Sequence, residues 1–371
     1  MRLQHYSSVA EQFTPYRRVI DVHEFGNGNI NDTYLVSTDS VLTEDQHFVL
    51  QRINTQVFKQ PRLIMQNMRV FTEHMRRRAR QDALAHRWEM PRVLPARDGQ
   101  DFYLDAGGNF WRAISYVHGA QSFDTIKDVD HAREVGYALG TFQYLISDLR
   151  IQTLADTLEG FHITPRYLQN FDRMLSQNGF KSSAEARYCL DFVEQRRNFT
   201  EILEHGREQG RLRLRPVHGD PKVNNVMIEE STGRAISLVD LDTVKPGLVH
   251  YDIGDCMRSG CNPLGEETER WEAVHFDPQI GAAILEGYLA QARHFLTEAD
   301  YEYLFDALRL LTFELGLRFF TDHLAGNVYF KVKHPEHNLL RALVQFRLTE
   351  SIEAHEAEIQ NIIRGLVARA V

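Results

Sequence analysis

The sequence predicts an α+β fold with two lobes, in which an antiparallel sheet with one main helix precedes a mainly helical part. Short β-rich segments separated by turn residues recur in the chain up to residue 117, on both sides of one helical stretch, a pattern typical of antiparallel strands. From about residue 129 onward, apolar residues recur at helical spacing. We therefore expect an N-terminal lobe of residues 1–117 and a C-terminal lobe of residues 118–371.

The N-terminal lobe is predicted from its strands and one amphipathic helix. Strands are expected at 16–25, 34–37 and 48–51, followed by a hairpin at 101–104 and 110–117. A helix is predicted at residues 62–87 because four apolar side chains share roughly one face: Leu63, Met68, Phe71 and Met75.

The C-terminal lobe is predicted to be helical, with two short strands at 225–229 and 235–239. The candidate helices are 129–148, 165–177, 183–207, 277–293, 298–323 and 336–366.

Charge and composition exclude several classes of partner. The 371 residues carry a formal net charge of −9, which gives no general attraction to nucleic acid or to an anionic membrane. The basic run 76–80 is interpreted as a solvated helix end, since consecutive helical residues point around the cylinder. No stretch approaches the roughly 18 apolar residues of a membrane span. We expect small-molecule partners, no nucleic acid and no membrane; the oligomeric state is not predicted.

The cysteines and the N-terminus predict a cytoplasmic protein. Cys189, Cys256 and Cys261 form no zinc pattern, and so few cysteines suit a reducing compartment. The first residues also lack the apolar core of a signal peptide.

The segments Val217–Asn225 and Leu238–Asp242 carry the clearest chemical pattern. A turn presents Asp220, Asn225 follows five residues later, and a second short strand ends at Asp240. Phosphoryl transfer needs one carboxylate to orient the attacking hydroxyl, and an amide oxygen with a second carboxylate to hold magnesium. We predict Asp220 as the catalytic base, Asn225 and Asp240 as Mg²⁺ ligands, and ATP as the phosphoryl donor.

Each of these residues also has a simpler interpretation. The sequence Gly219-Asp220-Pro221 alone would be a surface turn, and only its spacing to the two metal candidates favours catalysis. Asp242 is either a second or outer metal ligand or a turn residue before Thr243.

Three residues near the motif are given supporting roles. Lys222 is predicted to reach the transferring phosphoryl group or the catalytic carboxylate; the alternative is a solvated loop lysine. Asp252 and Asp255 are predicted to serve structure, one of them by capping the following helix or by accepting backbone N–H bonds from the catalytic loop.

The nucleotide is expected between the lobes. Gly26 and Gly28 belong to a Gly-Asn-Gly-Asn turn whose backbone can approach phosphate oxygens, although this sequence alone also fits a plain hairpin turn. Backbone groups from Ser115 to Val117 are expected to hydrogen-bond adenine, which places the lobe boundary just after them.

The third strand lacks the lysine that many phosphoryl-transfer folds use to hold the α- and β-phosphates. Gln51 and Arg52 stand there instead, and strand alternation lets only one of them face the nucleotide. The following helix offers Asn67 and Glu73, so an ordinary Lys–Glu pair is not evident.

Two regions are candidates for binding the acceptor. Asn31 and Asp32 follow the glycine turn. Glu314, Arg318 and Asp322 share one helix face at i, i+4 and i+8. They form either a surface ion-pair ladder or, with the aromatic residues that follow at Tyr329 and Phe330, a wall that binds a polyhydroxyl compound.

The motif His218-Gly219-Asp220-x4-Asn225, with Asp240, resembles the aminoglycoside phosphotransferase superfamily, whose fold is protein-kinase-like. The chain is most similar to the N-acetylhexosamine 1-kinases within it, through residues 28–34, 50–58, 241–247 and 314–330. This resemblance implies transfer of the ATP γ-phosphoryl group to the anomeric hydroxyl of an N-acetylated hexosamine. It also implies the catalytic role of Asp220, the two metal ligands, and sugar binding by Arg318 and Tyr329.

Three functions follow, in order of preference. The first is a sugar 1-kinase that uses ATP and Mg²⁺ and acts on GlcNAc or GalNAc. The second is a kinase of the same fold acting on an amino alcohol, homoserine or an aminoglycoside, although Arg318 and Arg341 would oppose a cationic acceptor. The third is a non-catalytic pseudokinase, for which the missing strand lysine is the only support.

Overall fold

An antiparallel sheet forms the N-terminal part of the computed structural model, which describes residues 2–14, 17–26, 30–82, 84, 86–178 and 183–370. Its strands are β1 Val19–Glu24, β2 Asp32–Thr38, β3 His47–Arg52, β4 Val93–Leu94, β5 Tyr103–Leu104 and β6 Phe110–Ser115. They lie in the order β1-β2-β3-β6-β4, and β5 pairs with β6. The predicted strand at 16–25 is thus shorter, and its residue 16 lies outside the described residues.

The outer face of this sheet is covered by a helix that the sequence did not predict, α1 (Arg2–Ala10). Tyr34 and Val36 of β2 pair with Leu50 and Phe48 of β3 and pack with Val9 of the helix. Nine residues are too few to show a clear helical period. A single turn, α2 (Thr43–Gln46), joins β2 to β3.

The main N-terminal helix, α3 (Pro61–Gln81), ends six residues earlier than predicted. Pro61 occupies the first turn, where its missing N–H costs nothing. Asp82 has an extended backbone, and its N–H closes the last turn on the carbonyl of Arg78 at 2.8 Å. The predicted apolar face is buried, including Met68, Phe71 and Met75, and packs in one core with α4 (Val129–Ile146).

The rest of the described chain is mainly helical. After α4, the helices are α5 Thr164–Asn178, α6 Ala184–Arg196, α7 Ile202–Glu208, α8 Val249–Gly260, α9 Pro278–Ala292, α10 Glu298–Glu302, α11 Leu304–Leu324, α12 His337–Ala354 and α13 Glu356–Ala370. The two-lobed α+β prediction is confirmed, whereas the boundary at residue 117 stays a prediction.

Helices α4 and α9 pack backbone to backbone because each presents glycine to the other. A Cβ on Gly136 would lie 1.9 Å from the carbonyl oxygen of Ile284, and one on Gly287 would lie 1.9 Å from that of Arg133. Only glycine permits this approach, so α9 fixes the back of α4, whose Gln143 reaches the candidate site.

Three predicted helices are each divided in two by turns that periodicity alone does not reveal. The breaks fall at Arg197–Phe199, Tyr303 and His355. The helix expected after Asp255 begins earlier, at Val249, so Asp252 and Asp255 both lie within α8.

Short ladders in the C-terminal part place the candidate motifs. The strands are β7 Ala120–Gln121, β8 Arg215–Val217, β9 Val226–Glu229, β10 Ala235–Leu238 and β11 Lys245–Gly247. One sheet has the order β10-β9-β7, and β11 pairs with β8. The loop that carries Asp220 therefore follows β8, and the loop that carries Asp240 runs from β10 to β11. Within the described residues, no helix is both long and apolar enough to cross a membrane.

Candidate active site

The loop after β8 is held by one buried carboxylate. Asp252 accepts the backbone N–H groups of His218 at 2.8 Å and Gly219 at 2.7 Å, and the side-chain amide of Gln143 at 2.8 Å. Burial raises the pKa of Asp252, while His218 and these donors oppose the rise. The prediction that one of the two α8 aspartates braces the catalytic loop is confirmed for Asp252.

Gly219 is required by the shape of this loop. Its φ of +86° lies in the left-handed region, and a Cβ would lie 2.8 Å from the carbonyl oxygen of Thr243. His218 beside it donates from Nε2 to the carbonyl of Val239 at 3.0 Å and accepts the N–H of Asp220 at Nδ1 at 3.2 Å. Burial lowers the pKa of His218, in keeping with a neutral ring that both donates and accepts.

A second histidine, His162, braces the loop from the other side. Its Nδ1 lies 2.8 Å from Oε1 of Glu314, and its Nε2 lies 2.7 Å from the carbonyl oxygen of Gly219. A carbonyl accepts only, and so does an ionised carboxylate, so both contacts are satisfied when each ring nitrogen carries a proton. Burial alone would lower the pKa of His162, but Glu314 and the Gly219 carbonyl raise it overall.

This pair was missed by sequence reasoning, and it corrects the role predicted for Glu314. The Glu314 carboxylate is buried and also accepts the hydroxyl of Thr164 at 2.6 Å, so it does not line an acceptor wall. His162 has a positive φ of 64°. Nothing in the local sequence marks it, because Glu314 lies 152 residues away along the chain.

The candidate base lies beside a lysine. Lys222 Nζ is 3.0 Å from a carboxylate oxygen of Asp220. Withdrawal from water raises the pKa of Asp220 to about 6, although Lys222 opposes this, and Asp255 and Asp240 add to the rise. Of the two interpretations of Lys222, the contact favours the one in which it reaches the catalytic carboxylate.

Asn225 and Asp240 are arranged to suit a hard cation. The side-chain amide of Asn225 donates to the Asp220 carbonyl at 2.7 Å, which leaves its oxygen for a ligand. The backbone N–H of Val239 donates to the Asn225 carbonyl at 2.8 Å and so ties the two loops together.

Asp240 is held in a strained conformation, with φ 63° and ψ 61°. Left-handed backbone at a non-glycine residue costs on the order of 1–3 kcal/mol and is often found at functional sites. Burial and the charge of Asp242 raise its pKa, although Lys222 and Arg112 oppose the rise. No three His, Cys, Asp or Glu side chains in the described ranges are placed to hold a metal ion. A magnesium ion here would therefore take most of its ligands from phosphates and water, which is its usual preference.

Asp242 connects the two lobes. It is buried, pairs with the guanidinium of Arg112 on β6, and accepts the side-chain amide of Asn31 at 2.6 Å. Both carboxylate oxygens are engaged, which favours a bracing role over metal binding. Asn31 also accepts the N–H of Asn54 at 2.9 Å, so it organises this junction. Its predicted contact with an acceptor stays a prediction.

The neighbouring strand β6 provides a buried arginine beside the position where the third strand lacks a lysine. Arg112 lies opposite Gln51 and donates to its side-chain oxygen from Nε and Nη2, at 2.9 and 2.6 Å. The side chain of Gln51 therefore lies on the face of the sheet that is turned towards Asp242. Sequence reasoning missed Arg112, although the cross-strand register could have revealed it.

Arg52 points the other way, as strand alternation requires. It pairs with Asp32 at 2.8 Å, and its guanidinium lies 5.9 Å from the ring of Trp111. The structure therefore does not support the prediction that Arg52 faces the nucleotide, and contact between Gln51 and the nucleotide stays a prediction. Asp32 also lies 3.9 Å from Lys331 of the C-terminal lobe, so its carboxylate is shared between two cations.

The predicted nucleotide residues are placed as follows. Gly26 has a φ of +74° and lines the large cleft beside Lys222, whereas Gly28 lies outside the described residues. The N–H of Ser115 is used by the carbonyl of Arg92 at 2.9 Å. Val117 makes no backbone hydrogen bond within the described part of the chain, so its backbone groups remain candidates for binding a base.

The three helix residues predicted to form an acceptor wall, Glu314, Arg318 and Asp322, have different surroundings. Arg318 lies within 5.2 Å of the Phe161 ring, 5.1 Å of Tyr167 and 5.6 Å of Phe330. Burial opposes its charge, but Tyr167, Tyr329, Glu314 and Asp220 together raise its pKa. No carboxylate of the described chain lies within ion-pair distance of this guanidinium, so it can take a ligand.

Asp322 holds the loop that carries Tyr329. Its carboxylate accepts the backbone N–H groups of Val328, Tyr329 and Phe330 at 2.9–3.0 Å. The predicted ladder is therefore wrong as a surface feature. Glu314 and Asp322 are both buried and hydrogen-bonded, whereas Arg318 is half-buried, and its contact with an acceptor stays a prediction.

A cleft of about 710 Å³ is lined by Lys222, the residue that contacts Asp220, but not by Asp220 itself. Basic and polar side chains dominate its wall, among them Lys222, Arg258, Lys331, Lys333 and Arg341. Its acidic residues are largely occupied: Glu267, for example, is bound by Arg341, Lys333 and His337.

Comparison with known proteins places these features in a wider group. The model of the phosphotransferase enzyme family matches residues 21–298 of the chain. Solved structures share the fold at low identity. An aminoglycoside phosphotransferase from Alicyclobacillus acidocaldarius is 14% identical over 96% of each chain, with a TM-score of 0.58.

Two further structures show the same fold. A microcompartment-associated aminopropanol kinase is 17% identical over 95% of this chain and 98% of its own, with a TM-score of 0.61. A spectinomycin phosphotransferase solved with ADP and spectinomycin is 10% identical over 100% and 99%, with a TM-score of 0.53. At such identities the likeness supports the fold and leaves the acceptor open.

Proposed function

Because this chain belongs to the phosphotransferase enzyme family, we propose that it transfers the γ-phosphoryl group of ATP to the anomeric hydroxyl of an N-acetylhexosamine. The observation that carries the proposal is the position of Arg318. Its guanidinium lies among aromatic rings and has no carboxylate partner in the described chain. The charge of Asp220 contributes to the raised pKa of Arg318. A neutral, hydroxyl-rich acceptor satisfies such a group, because guanidinium donors bind sugar oxygens and aromatic faces pack on sugar rings.

In this reaction Asp220 accepts the proton of the sugar hydroxyl and orients the oxygen towards the phosphoryl group. Lys222, 3.0 Å from Asp220, keeps the carboxylate ionised and lies ready for the phosphoryl oxygens. Asn225 and Asp240 would hold Mg²⁺, which neutralises phosphate charge when bound. Gln51 accepts hydrogen bonds from Arg112, and Arg112 pairs with Asp242, which keeps the loop between β10 and β11 in place.

Two further features of the setting are proposed. The base of ATP lies against Val117 and the apolar side chains packed with it, Ala120, Met227, Ile236 and Val239.

The three cysteines are buried and unpaired, which suits a reducing compartment, and we place the reaction in the cytoplasm.

A second candidate acceptor is an amino alcohol or an aminoglycoside. The aminopropanol kinase and the aminoglycoside phosphotransferase of the same fold favour it. The basic wall of the cleft and Arg318 oppose it, because they repel a protonated amine. This alternative is therefore ranked below a neutral sugar.

We expect ³¹P NMR of a reaction with ATP, Mg²⁺ and N-acetylglucosamine or N-acetylgalactosamine to show a sugar 1-phosphate. Choline, aminopropanol, homoserine and kanamycin are tested separately, and the Asp220→Asn enzyme controls for contaminating kinases. A phosphorylated amine with no sugar phosphate would select the second candidate. Absence of product from every acceptor, with ATP bound, would contradict the sugar assignment.

Replacing Arg318 by Ala is expected to raise the KM for the sugar about 10- to 100-fold and to leave the KM for ATP unchanged, since a hydrogen bond to a charged group contributes about 1.5–3 kcal/mol. Steady-state kinetics with each substrate varied in turn measures both constants. Arg309→Ala is the matched control, because Arg309 lies on the same helix and packs on Phe199, 4.1 Å from its ring. An equal loss of ATP affinity in the Arg318 variant would show that this residue does not serve the sugar.

A further inference from the structure

A second groove, which shares no lining residue with the cleft at Lys222, contains three arginines that have no acidic partner within the described part of the chain. It has a volume of about 570 Å³. Its walls come from α2, the end of α3, the segment 87–92 and the residues that follow β6. Its charged and aromatic side chains are four arginines, two glutamates and three rings: Arg76, Arg80, Arg87, Arg92, Glu44, Glu89, Trp88, Tyr116 and His118.

The basic run of α3 divides between this groove and the opposite side. Arg78 is bound by Asp148 at 2.9 Å and Asp82 at 3.0 Å, and Arg77 by His74 at 3.0 Å. Arg76 and Arg80, one turn apart, line the groove instead. Arg80 is exposed, as expected for a solvated helix end, whereas Arg76 is half-buried.

The groove arginines repel one another. Within the described residues, no carboxylate lies within 4.0 Å of Arg76, Arg80 or Arg92; Arg87, by contrast, is paired with Glu89 and Glu229. Burial lowers the pKa of Arg76, and Arg92 and Arg80 lower it further. Bringing three unpaired guanidinium groups together is unfavourable, and a bound anion would relieve the repulsion.

Aromatic side chains complete the wall. Tyr116 and His118 pack edge to face with centroids 4.9 Å apart. The indole N–H of Trp88 and Nε2 of His118 have no hydrogen-bond partner among the residues that the structure describes. Planar rings beside arginines suit a ligand that has a ring as well as a phosphate.

We propose that this groove is a binding site for a small phosphate ester. Arg76, Arg80 and Arg92 would hold the phosphate, and the rings of Trp88 and Tyr116 would contact the organic part. Tyr116 and His118, which line the groove, are the sequence neighbours of Val117. A ligand in the groove would therefore contact the segment that joins the two lobes. A nucleotide and a sugar phosphate share this chemistry, so both are probes.

The test is calorimetric titration of the full chain with AMP, glucose 1-phosphate and inorganic phosphate, at constant ionic strength and with saturating ADP and Mg²⁺ present. We expect at least one ester to bind more tightly than inorganic phosphate. Arg76→Gln and Arg80→Gln should each weaken it about 10-fold, the cost of one hydrogen bond to a charged group. Arg77→Gln, which changes the same charge on the same helix outside the groove, should leave the Kd unchanged.

The fluorescence of Trp88 reports the place of binding. The ligand-induced change should disappear in Trp88→Phe. Equal weakening by Arg77→Gln would reveal a diffuse charge effect and overturn the proposal. So would unchanged affinity in Arg76→Gln and Arg80→Gln, or the failure of all three probes to bind. Tighter binding of AMP than of glucose 1-phosphate would identify a nucleotide site, and the reverse a sugar phosphate site.

Discussion

An enzyme in which Asp220 is replaced by Asn is expected to keep its fold and to lose at least about 10²–10⁴-fold in kcat, the contribution of a positioned base. The amide has the shape of the carboxylate but cannot accept the proton of the attacking hydroxyl. The side chain of Asp220 is only partly buried and contacts Lys222, so its replacement removes one ion pair and leaves the loop held by Asp252 and His162. The kcat is measured from ADP release, and the product is verified by ³¹P NMR.

Asp124→Asn is the matched control for this experiment. Asp124 is exposed and lines the cleft that Lys222 also lines, so its replacement changes the charge near the candidate base without removing that base. We expect its kcat to stay near that of the wild type. Comparable losses in the two variants would mean that the field of the cleft, and not a base at Asp220, controls turnover. Near-normal turnover by Asp220→Asn would exclude the catalytic assignment.

The positions of the candidate base and metal ligands could be predicted from the sequence because their spacing is local. Asp220 and Asn225 lie in one loop, and a single hairpin brings Asp240 to them. The turn, the strands and the polar residues are all encoded within about thirty residues, where sequence pattern is most informative. The sheet and the long helices were predictable for the same reason.

The residues that hold this loop could not be predicted, because their partners are distant in the chain. Gln143 and Asp252 lie 109 residues apart, and Asn31 and Asp242 lie 211 apart. Glu314 matched a surface ladder at helical spacing, yet that spacing says nothing about whether a face is buried. Only the packing of α11 against α5 and α8 shows that the face turns inward.

The buried pair of His162 and Glu314 gives the second large expected effect. Replacing Glu314 by Ala removes one member of a buried ion pair, which typically lowers the free energy of unfolding by about 3–5 kcal/mol. It also leaves the hydroxyl of Thr164 without its acceptor. Glu314→Gln keeps the size and a hydrogen bond to each neighbour, so we expect a smaller loss. Urea denaturation of both variants and the wild type measures the difference.

The dependence on pH distinguishes this pair from ordinary packing. The pKa of His162 is raised in the folded protein, so the folded state binds a proton that the unfolded state releases near pH 6.5. The stability that the pair contributes is therefore fully present below about pH 6.5 and is lost as pH rises through the folded pKa of His162. For one proton the slope is at most about 1.4 kcal/mol per pH unit.

Three groups besides Glu314 face His162. Asp255 of α8 raises its pKa through its charge, the ring of Tyr251 lies 5.4 Å away, and the Gly219 carbonyl accepts from Nε2. None of the three replaces the carboxylate contact, so the stability of Glu314→Gln should not show the decline above about pH 6.5 that the wild type shows. Equal slopes in the two proteins would show that His162 is neutral.

¹⁵N NMR of the imidazole gives an independent answer, since an imidazolium shows two protonated nitrogens. A proton held there at pH 7 would mean that a buried charge 2.7 Å from the Gly219 carbonyl positions the loop of Asp220, so kcat and stability should decline together in alkali.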